Sequence, residues 1–406
     1  MPEPSVIEAQ KLTASRDESS AFASVPTAIA EIKAGRMVVV VDDEDRENEG
    51  DLTLAAEFVT PEAINFMAKF GRGLICLTLT EERADHLNLP PMTQQNSSRF
   101  GTAFTETIEA REGVTTGISA YDRSHTIKTA IAPDAVAADL ARPGHVFPLR
   151  GRKGGVLVRA GQTEASVDLA RMAGLTPAGI ICEIMNDDGT MARVPDLVKF
   201  CAEHNMKMLT VAELIRYRLQ NERYIQRAGE SVIQTRNGEF RMIAYESEVN
   251  GESHVALVHG EICGPGADGP NGVGEEKPVL VRVHTRCTAG EVFGADCHCR
   301  EVLDQSMRMI AEAGCGAILY LHNTSRGFDV DRGATPPRLL LHHELRQLEG
   351  QEDRHRRTLR EVGLGGQILS DLGIRRIRLL SNTPMHIPAL EGFGLEIVEQ
   401  VPVPVR

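Results

Sequence analysis

The run MVVVV at positions 37–41 leads directly into the acidic stretch DDEDRENEGD at positions 42–51. A run of β-branched residues favours a buried strand. The acidic stretch places seven carboxylates and one arginine within ten residues, which is costly unless water, a cation or a positively charged ligand relieves the repulsion. The stretch is therefore either a solvated loop or a site at a strand end, where sites of α/β domains are found.

Composition limits the classes of partner that this chain can have. A net charge of −13 argues against a nucleic-acid-binding surface, because phosphate backbones are bound mainly by an excess of Lys and Arg. The sequence contains no apolar segment suited to a signal peptide or a membrane span, so we expect a cytoplasmic protein without a membrane partner. Eight cysteines in 406 residues are too few for a disulfide framework and are expected to be free or metal-bound.

Helical and strand-like patterns alternate along the chain and predict a mixed α/β (α+β) fold with two domains, each a mixed sheet covered by helices. A short helix is expected to be capped by Ser24 or Thr27, and GVLVR at 155–159 is expected to be a strand. The predicted divisions are a loose arm (1–22), a first domain (23–222), a polar linker (223–235) and a second domain (236–406).

The spacing within the acidic stretch is more informative than its composition. Glu47, Glu49 and Asp51 would point in the same direction in an extended chain, with Arg46 beside them. A calcium loop of the EF-hand type is disfavoured because Gly50 does not fit its register. Carboxylates with an embedded arginine instead indicate a metal that is shared with a phosphorylated or hydroxylated substrate.

The acidic stretch resembles the signature loop of 3,4-dihydroxy-2-butanone-4-phosphate synthase. Four later segments are similar to other signature blocks of that family, in the same order: GVTTGISAYDR (113–123), RPGHVFPLR (142–150), GGVLVRAGQTEASVDLARMAGL (154–175) and PAGIICEIMNDDGTMAR (177–193). The resemblance implies Mg²⁺- or Mn²⁺-dependent conversion of ribulose 5-phosphate into dihydroxybutanone phosphate and formate, by a homodimer. A cation among the carboxylates would hold the negative charge that gathers on substrate oxygens.

The resemblance also implies roles for individual residues. Glu47 would bind both metal and substrate, and Arg159 and Thr163 would hold the sugar phosphate. The base that removes the C3 proton stays open between Asp51 and Glu183, and Glu47 is a further catalytic candidate. His145 is either a loop-locking residue or a substrate contact, and Cys76 is either a packing residue or close to the substrate. The complete set of implied substrate contacts is Arg46, Glu47, Asp51, Arg159, Ala160, Gly161, Gln162, Thr163 and Glu183.

Gln162 is a departure from the family pattern, which has a histidine as the second metal ligand at this position. Mg²⁺ prefers oxygen, and the amide oxygen of Gln reaches about as far as an imidazole nitrogen. We therefore expect an altered metal site that still functions. The alternative is that the weakly donating amide leaves the metal affinity too low for turnover.

The segment RCTAGEVFGADCHC supplies three thiols, Cys287, Cys297 and Cys299, at C-x9-C-x-C spacing. Thiolates spaced in this way commonly hold Zn²⁺, and three protein ligands would leave a fourth position for a water molecule. The alternative is three reduced thiols in a turn. With the segments around it, this cluster makes residues 237–406 resemble GTP cyclohydrolase II, a zinc enzyme that opens the purine ring of GTP.

This second half departs from the cyclohydrolase pattern repeatedly. Asn-Thr-Ser-Arg-Gly at 323–327 replaces a Gln-Glu-Gly-Arg-Gly run, Thr358 replaces an aspartate and His386 replaces a lysine, whereas the arginine at the catalytic position is kept as Arg360. Base recognition, proton handling and phosphate binding would all be weakened. The sequence therefore predicts a lyase with a degenerate cyclohydrolase-like half that serves dimerisation, effector binding or docking.

Two alternatives stay open at this point. One is a fully bifunctional enzyme that also opens GTP. The other is a non-catalytic regulator that binds a metal ion, GTP or another nucleotide, in which Gln162 has silenced the first half as well.

Overall fold

The computed structural model describes residues 22–42, 46–96, 98, 100–248, 252–262, 277–322, 329–331, 336, 338–340, 363–382 and 395–405. The chain divides into two compact units between Tyr217 and Arg218. Each unit is built on a seven-stranded sheet with both parallel and antiparallel pairs, which confirms the predicted fold class. Among the described residues, every helix is too short or too polar to cross a membrane.

The first unit has the strand order β4-β5-β3-β6-β2-β1-β7. Its main elements are α1 (Val25–Lys33), β1 (Val38–Val41), β2 (Gly50–Ala55), α2 (Pro61–Phe66), β3 (Cys76–Thr80), α3 (Glu81–His86), β4 (Ile108–Ala110), α4 (Ala120–Ile131), β5 (Leu140–Gly151), α5 (Gln162–Met172), β6 (Ala178–Glu183), α6 (Val194–His204), β7 (Lys207–Thr210) and α7 (Val211–Asn221), of which residues 218–221 already count to the second unit.

The acidic stretch lies at the connection between β1 and β2. All four valines of β1 are buried, and β1 lies between β2 and β7 in the sheet. Helix α1 is capped by Ser24, whose hydroxyl accepts a hydrogen bond from the Thr27 N–H group, so Ser24 is the cap of the two that were predicted. The buried strand pair therefore fixes both ends of the acidic loop.

The prediction of a strand at 155–159 is wrong. Gly154 and Gly155 have φ angles of 94° and 62°, which an extended strand cannot accommodate, and Gly155–Leu157 form a short 3₁₀ turn. The buried Asp168 of α5 holds this turn by accepting a hydrogen bond of 2.9 Å from the Val156 N–H group. The hydrophobic segment at 155–159 is therefore a turn that precedes α5. The first residues of this helix include the predicted phosphate contact Thr163.

The second unit has the strand order β16-β15-β11-β12-β10-β9-β8. A two-stranded sheet (β13 with β14) and helical residues 363–371 also belong to it. Its other elements are β8 (Ile225–Thr235), β9 (Gly238–Ser247), β10 (Ser253–His259), β11 (Val279–Thr285), α8 (Thr288–Glu291), α9 (Cys299–Ala313), β12 (Gly316–Leu321), β13 (Asp329–Asp331), β14 (Arg338–Leu340), β15 (Arg376–Leu380) and β16 (Glu396–Val401).

Residues 225–235, predicted to be a linker, form strand β8 instead. This strand pairs with β9 along its whole length at the edge of the sheet. Its first residue, Ile225, is buried, whereas residues 226–232 are exposed. An edge strand with few buried side chains needs no apolar alternation, because its backbone hydrogen bonds hold it in place. The polar sequence therefore misled the prediction.

Asp371 ties β8 and β9 to the helical residues 363–371. Its carboxylate accepts hydrogen bonds from Arg223 Nη2 (2.6 Å), Arg227 Nε (2.6 Å) and the hydroxyl of the fully buried Tyr245 (2.8 Å). Burial alone would raise the pKa of Asp371, but the hydrogen bonds from Arg227 and Tyr245 outweigh it and hold this pKa below its ordinary value.

Candidate active site

Asp42 organises the acidic loop from within. This residue follows β1 and is buried, and its Oδ1 atom accepts a hydrogen bond of 2.9 Å from the Glu49 N–H group. Its Oδ2 atom accepts a short hydrogen bond from Arg46 Nη1. Arg46 Nη2 in turn donates to Glu47 Oε1 over 2.9 Å. Arg46 therefore lies between two carboxylates, and its position is set by both of them.

Arg193 holds the same loop from the other side. Its Nη1 atom donates to the backbone carbonyl of Glu47 over 2.8 Å and to that of Asn48. Asn48 has a φ angle of 53°, a left-handed conformation that asparagine tolerates better than most residues. The guanidinium group therefore fixes the backbone turn that carries Glu47, whose side chain is mostly buried.

Asp51 and Glu183 form a carboxylate pair across the antiparallel strands β2 and β6. Glu183 Oε2 accepts a hydrogen bond of 2.7 Å from the Leu74 N–H group. Gly73 makes this approach possible, because a Cβ atom at Gly73 would lie 2.4 Å from the same oxygen. Burial raises the pKa of Asp51 well above its ordinary value, and the charges of Glu183 and Asp42 add to this effect.

The carboxylates of the loop also perturb one another. Burial, with the charges of Glu47 and Glu183, raises the pKa of Glu49 to about 7. Burial likewise raises the pKa of Glu47, although the neighbouring Arg46 opposes this. Carboxyl groups in such a cluster either keep their protons at neutral pH or require a cation beside them.

Gln162 is held in one orientation by two backbone carbonyls, one at the end of β1 and one within the acidic loop. Its Nε2 atom donates to the backbone carbonyls of Val40 (2.9 Å) and Glu49 (3.2 Å). A reversed amide would set an oxygen against both carbonyl oxygens. Its Oε1 atom is buried and has no hydrogen-bond partner among the described residues. The structure thus presents, at this position, a buried amide oxygen that could act as a metal ligand.

Arg159 and the first residues of α5 form a cationic side of the site. Arg159 Nη1 pairs with the buried Glu164 over 2.7 Å, and Nη2 donates to the Phe100 carbonyl over 3.3 Å. The ring of Phe100 lies 5.6 Å from the guanidinium carbon of Arg46. Ala160 and Gly161 lead to the N-terminus of α5, with Gln162 and Thr163 in its first turn. Helix N-termini with a nearby arginine favour anions.

Two further predicted residues occupy different surroundings. The Nδ1 atom of His145, on β5, lies 3.0 Å from Glu109 Oε2, and its side chain is half-exposed. In the described part of the chain, no hydrogen bond or ion pair joins His145 to the acidic loop. Cys76 is buried in β3, where burial, with the charges of Glu183 and Asp51, raises the pKa of its thiol. Cys76 therefore lies beside the carboxylate pair as a protonated thiol.

Three residues that sequence reasoning did not single out, Asp42, Glu164 and Arg193, contribute to this site. Asp42 lies within the acidic stretch and Glu164 follows Gln162 by two residues, so their proximity was a usable signal. Arg193 is 146 positions from Glu47, and only the three-dimensional fold brings the two together.

The three thiols of the second unit are also brought together. The Sγ atoms of Cys287, Cys297 and Cys299 all lie within 4.8 Å of one another. Within the described residues, this is the one place where three or more His, Cys, Asp or Glu side chains bring their ligand atoms this close together. Gly290 allows this packing, since a Cβ atom there would lie 2.1 Å from Cys297 Sγ. Soft sulfur donors in such a group suit Zn²⁺.

A carboxylate supports the thiol cluster. Glu291 Oε1 accepts hydrogen bonds from the Cys287 N–H group (2.6 Å) and lies 3.0 Å from His284 Nε2. Glu291 Oε2 accepts from the hydroxyl of Tyr320. The other predicted cyclohydrolase positions, Thr358, Arg360, His386 and residues 323–327, lie outside the described residues.

Comparison with known proteins covers both units. Residues 26–217 match the family model of 3,4-dihydroxy-2-butanone 4-phosphate synthase, and residues 226–402 match that of GTP cyclohydrolase II. The riboflavin biosynthesis protein RibBA of Aquifex aeolicus is 51% identical over 402 residues, which cover 97% of this chain and 95% of the relative.

Two other relatives carry the synthase name alone. A 3,4-dihydroxy-2-butanone 4-phosphate synthase of Pseudomonas aeruginosa is 47% identical over 383 residues, 94% of this chain and 99% of the relative. The crystal structure of RibBX, described as a two-domain synthase from A. baumannii, matches with a TM-score of 0.73 at 40% identity and covers 93% of this chain and 99% of that one. The chain therefore belongs to the family of riboflavin biosynthesis proteins in which a 3,4-dihydroxy-2-butanone 4-phosphate synthase domain is fused to a GTP cyclohydrolase II domain.

Proposed function

We propose that the first unit converts ribulose 5-phosphate into 3,4-dihydroxy-2-butanone 4-phosphate and formate, with Mg²⁺ or Mn²⁺, as a step of riboflavin biosynthesis. The observation that carries this proposal is the buried Oε1 atom of Gln162 beside the acidic loop, which has no hydrogen-bond partner in the part of the chain that the structure describes. The relatives from Aquifex aeolicus and Pseudomonas aeruginosa, which span nearly the whole chain, carry names consistent with it.

Glu47 and Gln162 would hold the cation. A metal-ligating imidazole usually donates its other N–H group to a carbonyl or carboxylate, which orients the ring. The amide of Gln162 does the same with its Nε2 atom on the Val40 and Glu49 carbonyls, so glutamine reproduces both functions of the expected histidine. Bound there, Mg²⁺ would stabilise the negative charge that develops on the substrate oxygens.

The residues of this chain divide the remaining work. Arg159 and the N-terminus of α5 would receive the phosphate of the substrate. Arg46, fixed by Asp42 and Glu47, would contact the hydroxyl groups. This arrangement would hold a polyol phosphate between a cationic end and an anionic end, and so orient it for proton abstraction.

We propose that Asp51 removes the proton from C3 of the substrate and that Glu183 acts as a second proton carrier. A carboxyl group with a raised pKa is a stronger base once ionised and can return its proton to a later intermediate. One oxygen of Glu183 is already engaged by the Leu74 N–H group, which fixes its orientation toward Asp51's strand.

For the second unit, we propose that the fold is retained without cyclohydrolase activity. The substitutions at 323–327, Thr358 and His386 support this, as do two relatives that span over nine-tenths of the chain and are named for the synthase alone. The three thiols would still hold Zn²⁺. A bifunctional enzyme is the second candidate, because the thiol cluster is intact and the Aquifex aeolicus relative is named RibBA.

Formate release by the purified full-length chain tests both units. With ribulose 5-phosphate and Mg²⁺ we expect turnover by wild type, and by Gln162→His. We expect a loss of about 100-fold in Glu47→Gln and Gln162→Leu, the range typical of damaged metal sites. Gln95→Leu, at an exposed loop position, is the matched control. Undiminished activity of Gln162→Leu at limiting Mg²⁺ would refute the assigned metal ligand.

The same assay with GTP and Zn²⁺ separates the two candidates for the second unit. We expect no formate from GTP. Formate from GTP that disappears in Cys297→Ser would establish the bifunctional enzyme instead.

A further inference from the structure

A short hairpin, residues 184–192, joins the end of β6 to the start of α6 in the first unit. Its two arms meet at a bridge between Met185 and Met191. The Ala192 N–H group also donates to the Ile184 carbonyl over 3.0 Å. The hairpin therefore leads from the strand that carries one carboxylate of the site to the N-cap of α6.

Arg72 anchors this hairpin. Its Nη1 atom donates to the Met185 carbonyl over 2.7 Å, and its Nη2 atom pairs with Asp187. The Met185 N–H group donates to the Gly71 carbonyl over 2.9 Å. A short hairpin that is held at both of these points fixes the backbone of the residue that follows it, Arg193.

The first turn of α6 lies against the acidic loop. The Arg193 N–H group donates to Asp196 Oδ2 over 3.3 Å, which fixes this residue as the N-cap of the helix. The buried Leu197 packs on Gly50, where an added Cβ atom would lie 2.4 Å from Leu197 Cδ1. The strand needs glycine at this point because the helix approaches it so closely. The side chain of Arg193 therefore extends from a fixed helix terminus beside the loop.

Both backbone groups of Glu47 are held. Its N–H group donates to Asp42 Oδ2 over 3.4 Å, and its carbonyl accepts from Arg193 Nη1 over 2.8 Å. The same Nη1 atom donates to the carbonyl of Asn48, whose left-handed φ of 53° is costly for most residues. Burial raises the pKa of Glu49, and the charge of Arg193 opposes this rise. Arg193 therefore stabilises both the strained turn and the charge of the loop.

We propose that Arg193 is a positioning residue for the divalent cation: by fixing the turn at Glu47, it holds the Glu47 carboxylate where the cation binds. The inference rests on the metal site of Glu47 and Gln162 proposed above. Residues that orient a metal ligand without touching the metal typically change metal affinity by about 10- to 100-fold. Loss of Arg193 should therefore weaken cation binding although both ligands are kept.

Electron paramagnetic resonance of free Mn²⁺ measures cation binding by the full-length chain without turnover. Arg193→Met removes the charge and the N–H donors but keeps a long side chain, whereas Arg193→Lys keeps a charge and a donor. The matched control is Arg216→Met, which breaks a surface pair with Glu213 on α7. Glu47→Gln reports the loss of a ligand itself. Denaturant unfolding of each variant is measured alongside.

We expect Arg193→Met to bind Mn²⁺ about tenfold more weakly than wild type, Arg193→Lys to lie closer to wild type, and Arg216→Met to be unchanged. The Mg²⁺ concentration for half-maximal lyase activity should rise in Arg193→Met, whereas turnover at saturating Mg²⁺ should change less. A role in stability alone would not produce this split. Arg72→Met loosens the hairpin and should show a smaller loss of Mn²⁺ affinity.

Two results would contradict these expectations in different ways. Wild-type Mn²⁺ affinity in Arg193→Met, or in Arg72→Met if Arg193→Met does not fold, would overturn this proposal alone when Glu47→Gln has lost the ion. Equal Mn²⁺ binding by Glu47→Gln and wild type, or no binding by either, would overturn the proposed metal site and this inference together.

Discussion

Asp51 lies directly opposite Glu183 in the register of β2 and β6. Both carboxyl groups are thus held at one end of the buried strand pair, near Asp42, Glu47 and Glu49. Without a bound cation the folded chain resists the ionisation of this cluster. The site therefore stores electrostatic repulsion that a cation would relieve, and this has a measurable dependence on pH.

The first prediction concerns the pH dependence of stability. The pKa of Asp51 is raised in the folded state, so its contribution to stability is fully present below its unfolded pKa of about 4 and is lost as pH rises through the folded pKa. The Glu49 carboxyl, with a folded pKa of about 7, acts in the same direction between about pH 4.5 and 7. Without divalent cations, Asp51→Asn should therefore gain stability relative to wild type as pH rises.

Denaturant unfolding of both chains between about pH 4 and 8 measures this difference. Asp134→Asn, at an exposed position, is the control and should show no such trend. Saturating Mg²⁺ should flatten the difference. A constant difference between Asp51→Asn and wild type across this range would show that Asp51 is not perturbed.

The second prediction concerns Glu164 as the residue that positions Arg159. Glu164→Gln keeps an acceptor for the Arg152 N–H group but removes the negative charge that fixes the guanidinium of Arg159. We expect the KM for ribulose 5-phosphate to rise about tenfold, because charge-assisted hydrogen bonds are worth about this factor, while kcat changes less. Glu31→Gln is the matched control, since it breaks a surface pair with Arg36. A fall in kcat alone would contradict the positioning role.

The third prediction concerns zinc in the second unit. The full-length chain should bind one Zn²⁺ ion, and Cys297→Ser should lower the affinity strongly because it removes one of three thiolate donors. Cys315→Ser is the control, because this thiol lies outside the cluster. Metal content after dialysis, and the fall in Tm on adding a chelator, measure the effect. Equal zinc content in Cys297→Ser and Cys315→Ser would rule out the cluster as the site.

The fourth prediction concerns the stability of the second unit. Tyr245→Phe removes the hydroxyl that donates to Asp371 and should lower the free energy of unfolding by about 1 kcal/mol. Asp371→Asn should cost more, because Arg223 and Arg227 lose a charged partner as well. Tyr121→Phe, at an exposed position of the first unit, is the control for denaturant unfolding. Equal stability of Tyr245→Phe and wild type would show that water replaces the bond.

Short-range patterns in the sequence predicted the fold class and the first helix cap. The valines of β1 form a buried strand because β-branched, apolar residues have few other stable arrangements. The hydrophobic pattern of GVLVR led to the wrong prediction of a strand. Two glycines with left-handed backbone conformation, Gly154 and Gly155, and a hydrogen bond to Asp168 impose a turn there instead. A hydrophobicity pattern carries no information on the backbone conformation of a glycine pair or on a hydrogen bond that is donated to a residue twelve positions away.

The candidate site shows the same division between local and distant contacts. The acidic loop and the Arg159–Thr163 segment could be identified from sequence because each is a contiguous block. The hydrogen bonds that Arg193 donates to the Glu47 carbonyl, and that Gln162 donates to the carbonyls of Val40 and Glu49, could not be predicted. Each joins residues that are over a hundred positions apart. Such contacts depend on sheet register, which a single sequence does not specify.

Strand β8 determines where this chain can be cut. Starting a separate C-terminal fragment at Arg236 would delete β8 and strip β9 of its outer neighbour. The unpaired backbone groups at the exposed edge of β9 could then pair with a strand of another chain, which favours aggregation. A C-terminal fragment should therefore begin upstream of Arg223, so that it retains both the edge strand and the two arginines that form ion pairs with Asp371.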